Sequence, residues 1–274
     1  MSFTCNVIPV PAFKDNYIWL IDLAADHAGE TSAQQRPPPP APVAIVDPGA
    51  AEPVIEAVEQ YSLTPVAILV THHHPDHVGG VARLAQRYQI PVYGPATESI
   101  PALSRPLHEN DRITLGDDNM AFIVLDVPGH TAGHIAYYGQ GALFCGDTLF
   151  AGGCGRLFEG TPAQMYRSLT KLAALPDATL VYCAHEYTLN NLKFAVQVEP
   201  QNADLNIRLE EVVSRRAQGL STVPAPLGVE KRTNPFLRCS APIVIAAAEQ
   251  FSGKSLNPGE ETFTVVRHWK DTVG

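Results

Sequence analysis

The sequence contains no run of about 18 consecutive apolar residues, the length that a membrane-spanning helix needs. Basic residues are also few, since 19 Lys and Arg stand against 28 Asp and Glu, which gives a formal net charge of −9. Binding of nucleic acid usually needs a basic face. The first residues lack a basic segment followed by an apolar run, so we expect no secretory signal. These absences predict a globular cytoplasmic protein that binds neither membranes nor nucleic acid.

Cysteine is scarce and scattered. The five cysteines are Cys5, Cys145, Cys154, Cys183 and Cys239, and no two of them form a CxxC pair. An odd number without paired spacing argues against a disulfide framework and against a cysteine zinc site. This pattern fits a reducing compartment, in agreement with a cytoplasmic location.

Short apolar runs separated by turn residues predict strands, most of them buried on both faces. These runs are residues 17–22, 43–47, 66–70, 121–127, 135–138, 142–145 and 179–183. Helical periodicity appears at residues 51–61, 80–88 and 162–175, where Thr161 suits the N-cap and Pro162 the first turn. Strands that alternate with helices indicate an α/β protein in which helices cover a sheet.

After His185 the pattern becomes mainly helical, with candidate helices at residues 189–198, 203–218 and 238–251. We therefore predict an α/β domain over residues 1–185 and a helical domain over residues 186–274. The first part carries 9 basic and 18 acidic residues, whereas the second carries 10 of each. The second part is therefore the natural place for a site that holds an anionic ligand, although from charge alone the difference could equally be ordinary variation of the surface. Residues 24–42, with four successive prolines, predict a flexible hairpin connection.

The strongest signal is the segment THHHPDH, which directly follows the apolar run VAILV. His72 and His74 are two residues apart, so in extended backbone their side chains point to the same side. Asp76 and His77 follow in the turn and could serve a second metal. Imidazole and carboxylate groups are suitable ligands for zinc, iron or manganese.

Three further segments place a His or Asp where a predicted strand ends. They carry His130 with His134, Asp147, and His185. Side chains at strand ends can converge on one edge of a sheet, where α/β folds commonly keep their sites. Together with THHHPDH they form a strong constellation for a metal centre.

These motifs resemble a known family. THHHPDH matches the T-H-x-H-x-D-H signature of the metallo-β-lactamase superfamily, and PGHTAGH, GDTLFAGGCGR, AHEYT, NPFLR and RHWKD resemble glyoxalase II, the hydroxyacylglutathione hydrolases. The resemblance covers nearly the whole chain apart from the proline-rich insert. It implies an α/β (α+β) fold, namely a four-layer αββα sandwich followed by a C-terminal helical domain.

The resemblance also implies two divalent metal ions, zinc in the first place, with iron or manganese as alternatives. It assigns His72, His74 and His130 to one metal. It assigns Asp76, His77 and His185 to the other, and Asp147 bridges the two. In this pattern His73 and His134 are not ligands.

The implied reaction is hydrolysis of S-(2-hydroxyacyl)glutathione, typically S-D-lactoylglutathione, to glutathione and D-lactate, the second step of methylglyoxal detoxification. A metal-bridging hydroxide would attack the thioester, with Asp76 and Asp147 as the catalytic carboxylates. The family's substrate-binding positions correspond to Arg156, Phe158, Tyr187, Arg267 and Lys270, and Phe158 stands where some relatives have tyrosine. The expected partner is this small thioester alone, since no obligate protein partner is evident.

Other functions compete with this one. A persulfide dioxygenase with one iron needs only two histidines and an aspartate, which would leave Asp76, His77 and His185 unexplained. A β-lactamase would normally have an export signal, and a nuclease would need a basic surface. A non-catalytic scaffold would be expected to lose at least one ligand, and a Cys154 nucleophile is not needed beside two metals. From charge alone, Arg267 and Lys270 could equally form a solvated helix end.

Overall fold

A computed structural model describes residues 5–24, 40–116 and 120–273 of the chain. Of the insert predicted at residues 24–42, residues 25–39 lie outside the described residues. The chain divides into two compact units, the first comprising Met1–Leu125 and Ile135–Phe144 and the second Asp126–His134 and Cys145–Gly274. Among the described helices, none has both the length and the apolar character that crossing a membrane requires.

The first unit contains a six-stranded sheet whose strands follow one another in chain order. These strands are β1 (Val7–Ala12), β2 (Asn16–Asp22), β3 (Ala41–Val46), β4 (Leu63–Leu69), β5 (Val92–Pro95) and β6 (Arg105–Leu107). The pairs from β1 to β3 are antiparallel and those from β3 to β6 are parallel. The parallel strands need crossover connections, which explains the helices that lie between them in the sequence.

Those connections carry α1 (Ala51–Gln60) between β3 and β4, and α2 (Pro75–Val78) and α3 (Val81–Tyr88) between β4 and β5. Val54, Ala57 and Val58 form the buried face of α1, at the spacing of successive helical turns. They belong to one hydrophobic core with Ile45 of β3 and Ile68 of β4. This packing fixes the point at which β4 ends and the histidine segment begins.

Four more strands begin in the first unit and lie side by side in the order β7 (Arg112–Leu115), β8 (Met120–Asp126), β9 (Ile135–Gly139) and β10 (Ala142–Gly146). β7 pairs with β8, and β9 with β10, in antiparallel fashion. Every residue of β10 is buried, as predicted for a strand covered on both faces, whereas β8 alternates and leaves Ile123 exposed.

The second unit begins with a short hairpin and is otherwise mainly helical. Its elements are β11 (Leu149–Phe150), β12 (Gly153–Cys154), α4 (Pro162–Ala173), β13 (Leu180–Cys183), α5 (Thr188–Val198), α6 (Ala203–Ala217), β14 (Ala225–Pro226), α7 (Leu227–Thr233), a 3₁₀ turn at Pro235–Leu237, α8 (Pro242–Ser252) and α9 (Glu260–Val273). The predicted cap of α4 is confirmed, because Thr161 and Gln164 form a reciprocal capping box.

Each predicted strand overlaps an observed one, but one predicted helix begins later than expected, and α2, α7 and α9 were not predicted. The helix expected at residues 238–251 begins only at Pro242, since proline favours the first helical turn. The sequence analysis missed α9, whose β-branched residues, among them Thr262, Val265 and Val266, lower helix propensity and hide its periodicity. Strands β1, β5–β7, β11, β12 and β14 were also not predicted.

Candidate active site

The first unit brings four of the predicted ligands together after β4. Nε2 of His72 lies 3.2 Å from Nδ1 of His74, so the two side chains point to the same side as predicted. In the short helix α2, Nε2 of His77 lies 3.7 Å from Oδ2 of Asp76. The rings of His72 and His77 are 4.0 Å apart between centroids, and both residues are buried. The nitrogen and oxygen atoms of these four side chains therefore cluster within residues 72–77.

Asp47 orients this cluster, and the sequence analysis did not single it out. Its Oδ1 accepts a hydrogen bond from the backbone N–H of Thr71 at 2.7 Å, and its Oδ2 accepts one from the Thr71 hydroxyl at 2.7 Å. The same Oδ2 lies 3.1 Å from Nδ1 of His77. A proton on Nδ1 directed at Asp47 leaves the lone pair of His77 on Nε2, the nitrogen that could bind a metal. The sequence did contain a signal for Asp47, because it is the last residue of a predicted strand, much as Asp147 follows the end of another.

Two other contacts surround the same segment. The side-chain amide of Asn16, at the start of β2, donates to Oδ2 of Asp76 at 3.0 Å. Glu98 accepts a hydrogen bond from the backbone N–H of His73 at 2.7 Å and lies 2.9 Å from its Nδ1. The variable histidine of the motif is therefore held by a carboxylate.

In the second unit Asp147 lies between two histidines. Its Oδ2 is 3.4 Å from Nε2 of His130, and its Oδ1 is 3.4 Å from Nε2 of His185. All three residues are buried. A carboxylate whose two oxygens face different imidazoles has the arrangement that a bridge between two cations requires.

Backbone groups hold this second cluster in place. Nδ1 of His130 lies 2.8 Å from the carbonyl oxygen of Arg156, which leaves Nε2 directed at Asp147. His134 is fully buried, and its Nε2 accepts a hydrogen bond from the backbone N–H of Asp147 at 3.1 Å. Gly155 is required here, because a Cβ at this position would lie 1.9 Å from the carbonyl oxygen of Asp147.

A cavity of about 520 Å³ in the second unit collects most of the predicted substrate residues. Arg156, Tyr187, Arg267 and Lys270 line it, and so does Lys193, which the sequence analysis missed. Other lining residues are Asn190, Asn191, Phe194, Gln197 and Val273. The spacing of Tyr187, Asn190, Phe194 and Gln197 corresponds to one face of α5 and could have revealed them.

Phe158 is not among the residues that line this cavity. It is 62% exposed, and its ring lies 5.2 Å from that of His130. Tyr187 stacks on the ring of His185 with a centroid distance of 4.6 Å. The phenol therefore lies beside a predicted metal ligand at one end of the cavity.

Arg267 is buried, so it is not part of a solvated helix end. Its Nη1 donates to the carbonyl oxygen of Cys154 at 3.0 Å, its Nη2 donates to Asp271 at 3.0 Å, and its guanidinium lies 5.1 Å from the centre of the Phe236 ring. Lys270 is half-buried. Burial, reinforced by the charge of Arg267, lowers the pKa of the Lys270 ammonium.

The five cysteines are free thiols, and all of them are buried. Burial raises the pKa of Cys183 to about 12 and also raises that of Cys154, where the nearby Arg267 only partly opposes it. A thiol with a raised pKa is a poor nucleophile, in agreement with the expectation that Cys154 plays no covalent role.

Comparison with known proteins identifies the family of this chain. A family model for the metallo-β-lactamase superfamily matches residues 39–185, and one for the hydroxyacylglutathione hydrolase C-terminus matches residues 186–273. The hydroxyacylglutathione hydrolase of Nitrosomonas eutropha is 52% identical, over 97% of this chain and 98% of that protein.

Solved structures show the fold. ETHE1 from Myxococcus xanthus matches with a TM-score of 0.61 and 24% identity, over 98% of this chain and 99% of that one. The protein TTHA1623, solved in a di-iron-bound form, matches with a TM-score of 0.55 and 27% identity, over 85% of this chain and 100% of that one. The predicted metallo-β-lactamase fold with a helical C-terminal region is thereby confirmed. At half-identity over nearly its full length, the chain belongs to the hydroxyacylglutathione hydrolase family, the glyoxalase II enzymes, and not to the persulfide dioxygenases.

Proposed function

We propose that this enzyme hydrolyses S-(2-hydroxyacyl)glutathione, typically S-D-lactoylglutathione, to glutathione and a 2-hydroxy carboxylate through a binuclear metal centre. The observation that carries the proposal is Asp147, whose two carboxylate oxygens each lie 3.4 Å from the Nε2 of a different histidine. A one-iron dioxygenase also uses an aspartate with two histidines, so the feature that favours a two-metal hydrolase is the additional imidazole, that of His185, at the second oxygen of Asp147.

The residues fit two divalent ions by the chemistry of their donors. We assign His72, His74 and His130 to one ion, Asp76, His77 and His185 to the other, and Asp147 to both. Imidazole and carboxylate ligands suit zinc first, and iron or manganese as well. The di-iron form of TTHA1623 keeps iron a realistic choice. When bound, two such ions supply hydroxide at neutral pH and polarise the thioester carbonyl.

The protein's own contribution is to orient these donors. Asp47 fixes which nitrogen of His77 is available, and the carbonyl of Arg156 does the same for His130. Asn16 holds the carboxylate of Asp76, which we assign to orient the attacking water. The leaving group is a thiolate whose conjugate thiol has a pKa of about 8.5, so it departs without a general acid.

The cationic cavity supports glutathione as the thiol part of the substrate. Glutathione carries two carboxylates, and we propose that Lys270 and Arg156 bind them while the Tyr187 hydroxyl donates to the peptide. Arg267 contributes positive charge without direct contact, since it is buried and both of its Nη atoms are already bonded, one to the carbonyl of Cys154 and one to Asp271. Phe158 offers no hydrogen bond, so we expect weaker binding than in relatives with tyrosine.

We further propose that residues 1–185 form the catalytic domain and residues 186–274 the substrate-binding domain, with the thioester as the protein's partner. A cytoplasmic location agrees with five free thiols and with glutathione chemistry in a reducing compartment.

The test is hydrolysis of S-D-lactoylglutathione by the purified protein, followed by loss of the thioester, with metal content measured by elemental analysis. We expect turnover that disappears on chelation and returns when metal is restored. A protein that carries two metals per chain and does not hydrolyse the thioester would contradict the proposal. Oxygen consumption with glutathione persulfide would then support the dioxygenase.

A further inference from the structure

The β11–β12 hairpin is held by buried side chains from the helices of the second unit. Five consecutive residues, Phe150 to Cys154, each have one backbone group bonded in this way. The contacts are Phe150 O and Gly153 O with Asn234 Nδ2, Ala151 O with Asn191 Nδ2, Gly152 N with Glu230 Oε2, and Cys154 O with Arg267 Nη1. Because residues 150–154 are buried, these side chains supply the partners that backbone groups of the hairpin need away from water.

Asn234, the first residue of NPFLR, makes the most of these contacts. It is fully buried, and its amide nitrogen lies 3.2 Å from the carbonyl oxygen of Phe150 and 2.9 Å from that of Gly153. Its Oδ1 accepts a hydrogen bond from the backbone N–H of Phe236 at 3.1 Å. Only an amide has both the donor for two carbonyls and the acceptor for an N–H in this volume.

Glu230 is a fully buried carboxylate whose two oxygens have different partners. Its Oε2 accepts the backbone N–H of Gly152 at 2.8 Å, and its Oε1 forms an ion pair with the buried Arg208. Gly152 has a φ of +69°, and a Cβ there would lie 2.7 Å from Leu192 Cδ2. The hairpin therefore packs directly against α5, and Glu230 satisfies the donor that this close approach buries.

Both ends of the hairpin lead to predicted metal ligands. Asp147 lies two residues before β11, and Thr148 accepts a hydrogen bond from the N–H of Gly155 at 3.1 Å across the base of the hairpin. Immediately beyond it, the carbonyl oxygen of Arg156 lies 2.8 Å from Nδ1 of His130. A displacement of the hairpin would therefore move the Asp147 carboxylate and the group that orients His130 together.

We propose that Asn234 and Glu230 are positioning residues that hold Asp147 and His130 in metal-binding geometry through the β11–β12 hairpin. This inference rests on the proposed function. It assigns to NPFLR a role that the metal and substrate motifs leave open. Neither side chain is assigned to touch metal or substrate, so their effect passes through the hairpin backbone.

Two variants test the proposal. Asn234→Asp keeps the shape of the side chain but presents a carboxylate oxygen to the carbonyls of Phe150 and Gly153. Glu230→Gln leaves one acceptor oxygen for two donors, so the side chain can no longer accept from both the N–H of Gly152 and the Arg208 guanidinium, and its NH₂ group opposes one of them. The matched control is Glu199→Gln, because Glu199 is also buried and paired with an arginine, Arg238, at 2.8 Å, yet the hairpin is not among its partners.

The readout is the rate at which metal-loaded protein, without substrate, releases metal to a coloured chelator, with circular dichroism and Tm recorded in parallel. We expect the two hairpin variants to lose metal about 10- to 100-fold faster than wild type, which is the usual effect of removing a residue that orients a metal ligand without binding the metal itself. Glu199→Gln should release metal at the wild-type rate. If Asn234→Asp does not fold, Glu230→Gln decides.

Wild-type release rates in folded hairpin variants, or equally fast release from Glu199→Gln, would overturn the proposal. Failure of the proposed function is separate. It would appear as metal-loaded wild type that does not hydrolyse S-D-lactoylglutathione, whereas this inference is judged by metal release alone.

Discussion

The Asp47→Asn substitution is a clean test of how the site selects the binding nitrogen of His77. Asp47 lies in left-handed backbone with a φ of +49°, a conformation that asparagine tolerates well. Asparagine is also nearly isosteric with aspartate, so the backbone and the hydrogen bond from the Thr71 N–H can persist. What changes is Oδ2, which becomes an NH₂ group facing the Thr71 hydroxyl and Nδ1 of His77.

The magnitude follows from those two contacts. Asp47 Oδ2 accepts from the Thr71 hydroxyl at 2.7 Å and lies 3.1 Å from Nδ1 of His77, and hydrogen bonds to a charged group contribute about 1.5–3 kcal/mol each. The Thr71 hydroxyl can rotate, but His77 cannot keep its proton on Nδ1 opposite an NH₂ donor. The proton then moves to Nε2, the nitrogen assigned to the metal. We expect metal affinity to fall by about 10- to 100-fold, the usual effect of losing such a partner.

The assay is a metal titration of the chelated protein together with kcat at saturating metal. Asp111→Asn is the matched control, since Asp111 accepts the backbone N–H of His108 at 2.8 Å on a half-exposed side chain in the same unit. We expect the control to bind two metals like wild type, whereas Asp47→Asn should hold one tightly and one weakly. Two tightly bound metals and unchanged kcat in Asp47→Asn would refute the tautomer argument.

Four further predictions concern the bridge, the cavity and Phe158. Asp147→Ala removes both oxygens that face His130 and His185, so metal content and most of the rate should be lost; two tightly held metals by elemental analysis would contradict the bridge. Lys270→Ala should raise KM more than it lowers kcat, with the exposed Lys254→Ala unchanged; the reverse pattern would remove Lys270 from the substrate site. Burial lowers the pKa of Lys270, so the charge that binds a carboxylate is present below that pKa and is lost as pH rises through it. KM should therefore increase at a lower alkaline pH in wild type than in Lys270→Arg, because arginine keeps its charge. Phe158→Tyr should lower KM, because tyrosine restores the hydroxyl that some relatives have at this position; an unchanged KM would contradict the expected loss of a polar contact.

The parts of the site that the sequence made predictable are those governed by short-range geometry. His72 and His74 face the same way because side chains alternate between the two sides of an extended backbone. The position of β4, whose carboxyl end precedes them, could be predicted because residues 66–70 form a continuous apolar run. Thr161 and Pro162 marked the start of α4 for a similarly local reason, since caps depend on neighbouring residues.

Residues whose role depends on distant partners were not predictable. Glu230 and Arg208 look like surface charges in the sequence, yet they are buried because each neutralises the other across 22 positions. Arg267 lies on α9, a helix that the sequence analysis missed, and it contacts Cys154, which is 113 positions away in the sequence. No local pattern reports such pairings, because they arise only when the chain is packed.

The burial of all five thiols has a chemical consequence for an enzyme that works on thioesters. Its proposed substrate is an acyl donor, so a reactive cysteine near the cavity would take over the acyl group by transthioesterification and release glutathione as the leaving thiolate. This reaction begins with a thiolate, and the raised pKa of Cys154 favours the protonated thiol although the side chain lies against Arg267. The fold therefore protects the enzyme from acylation by its own substrate.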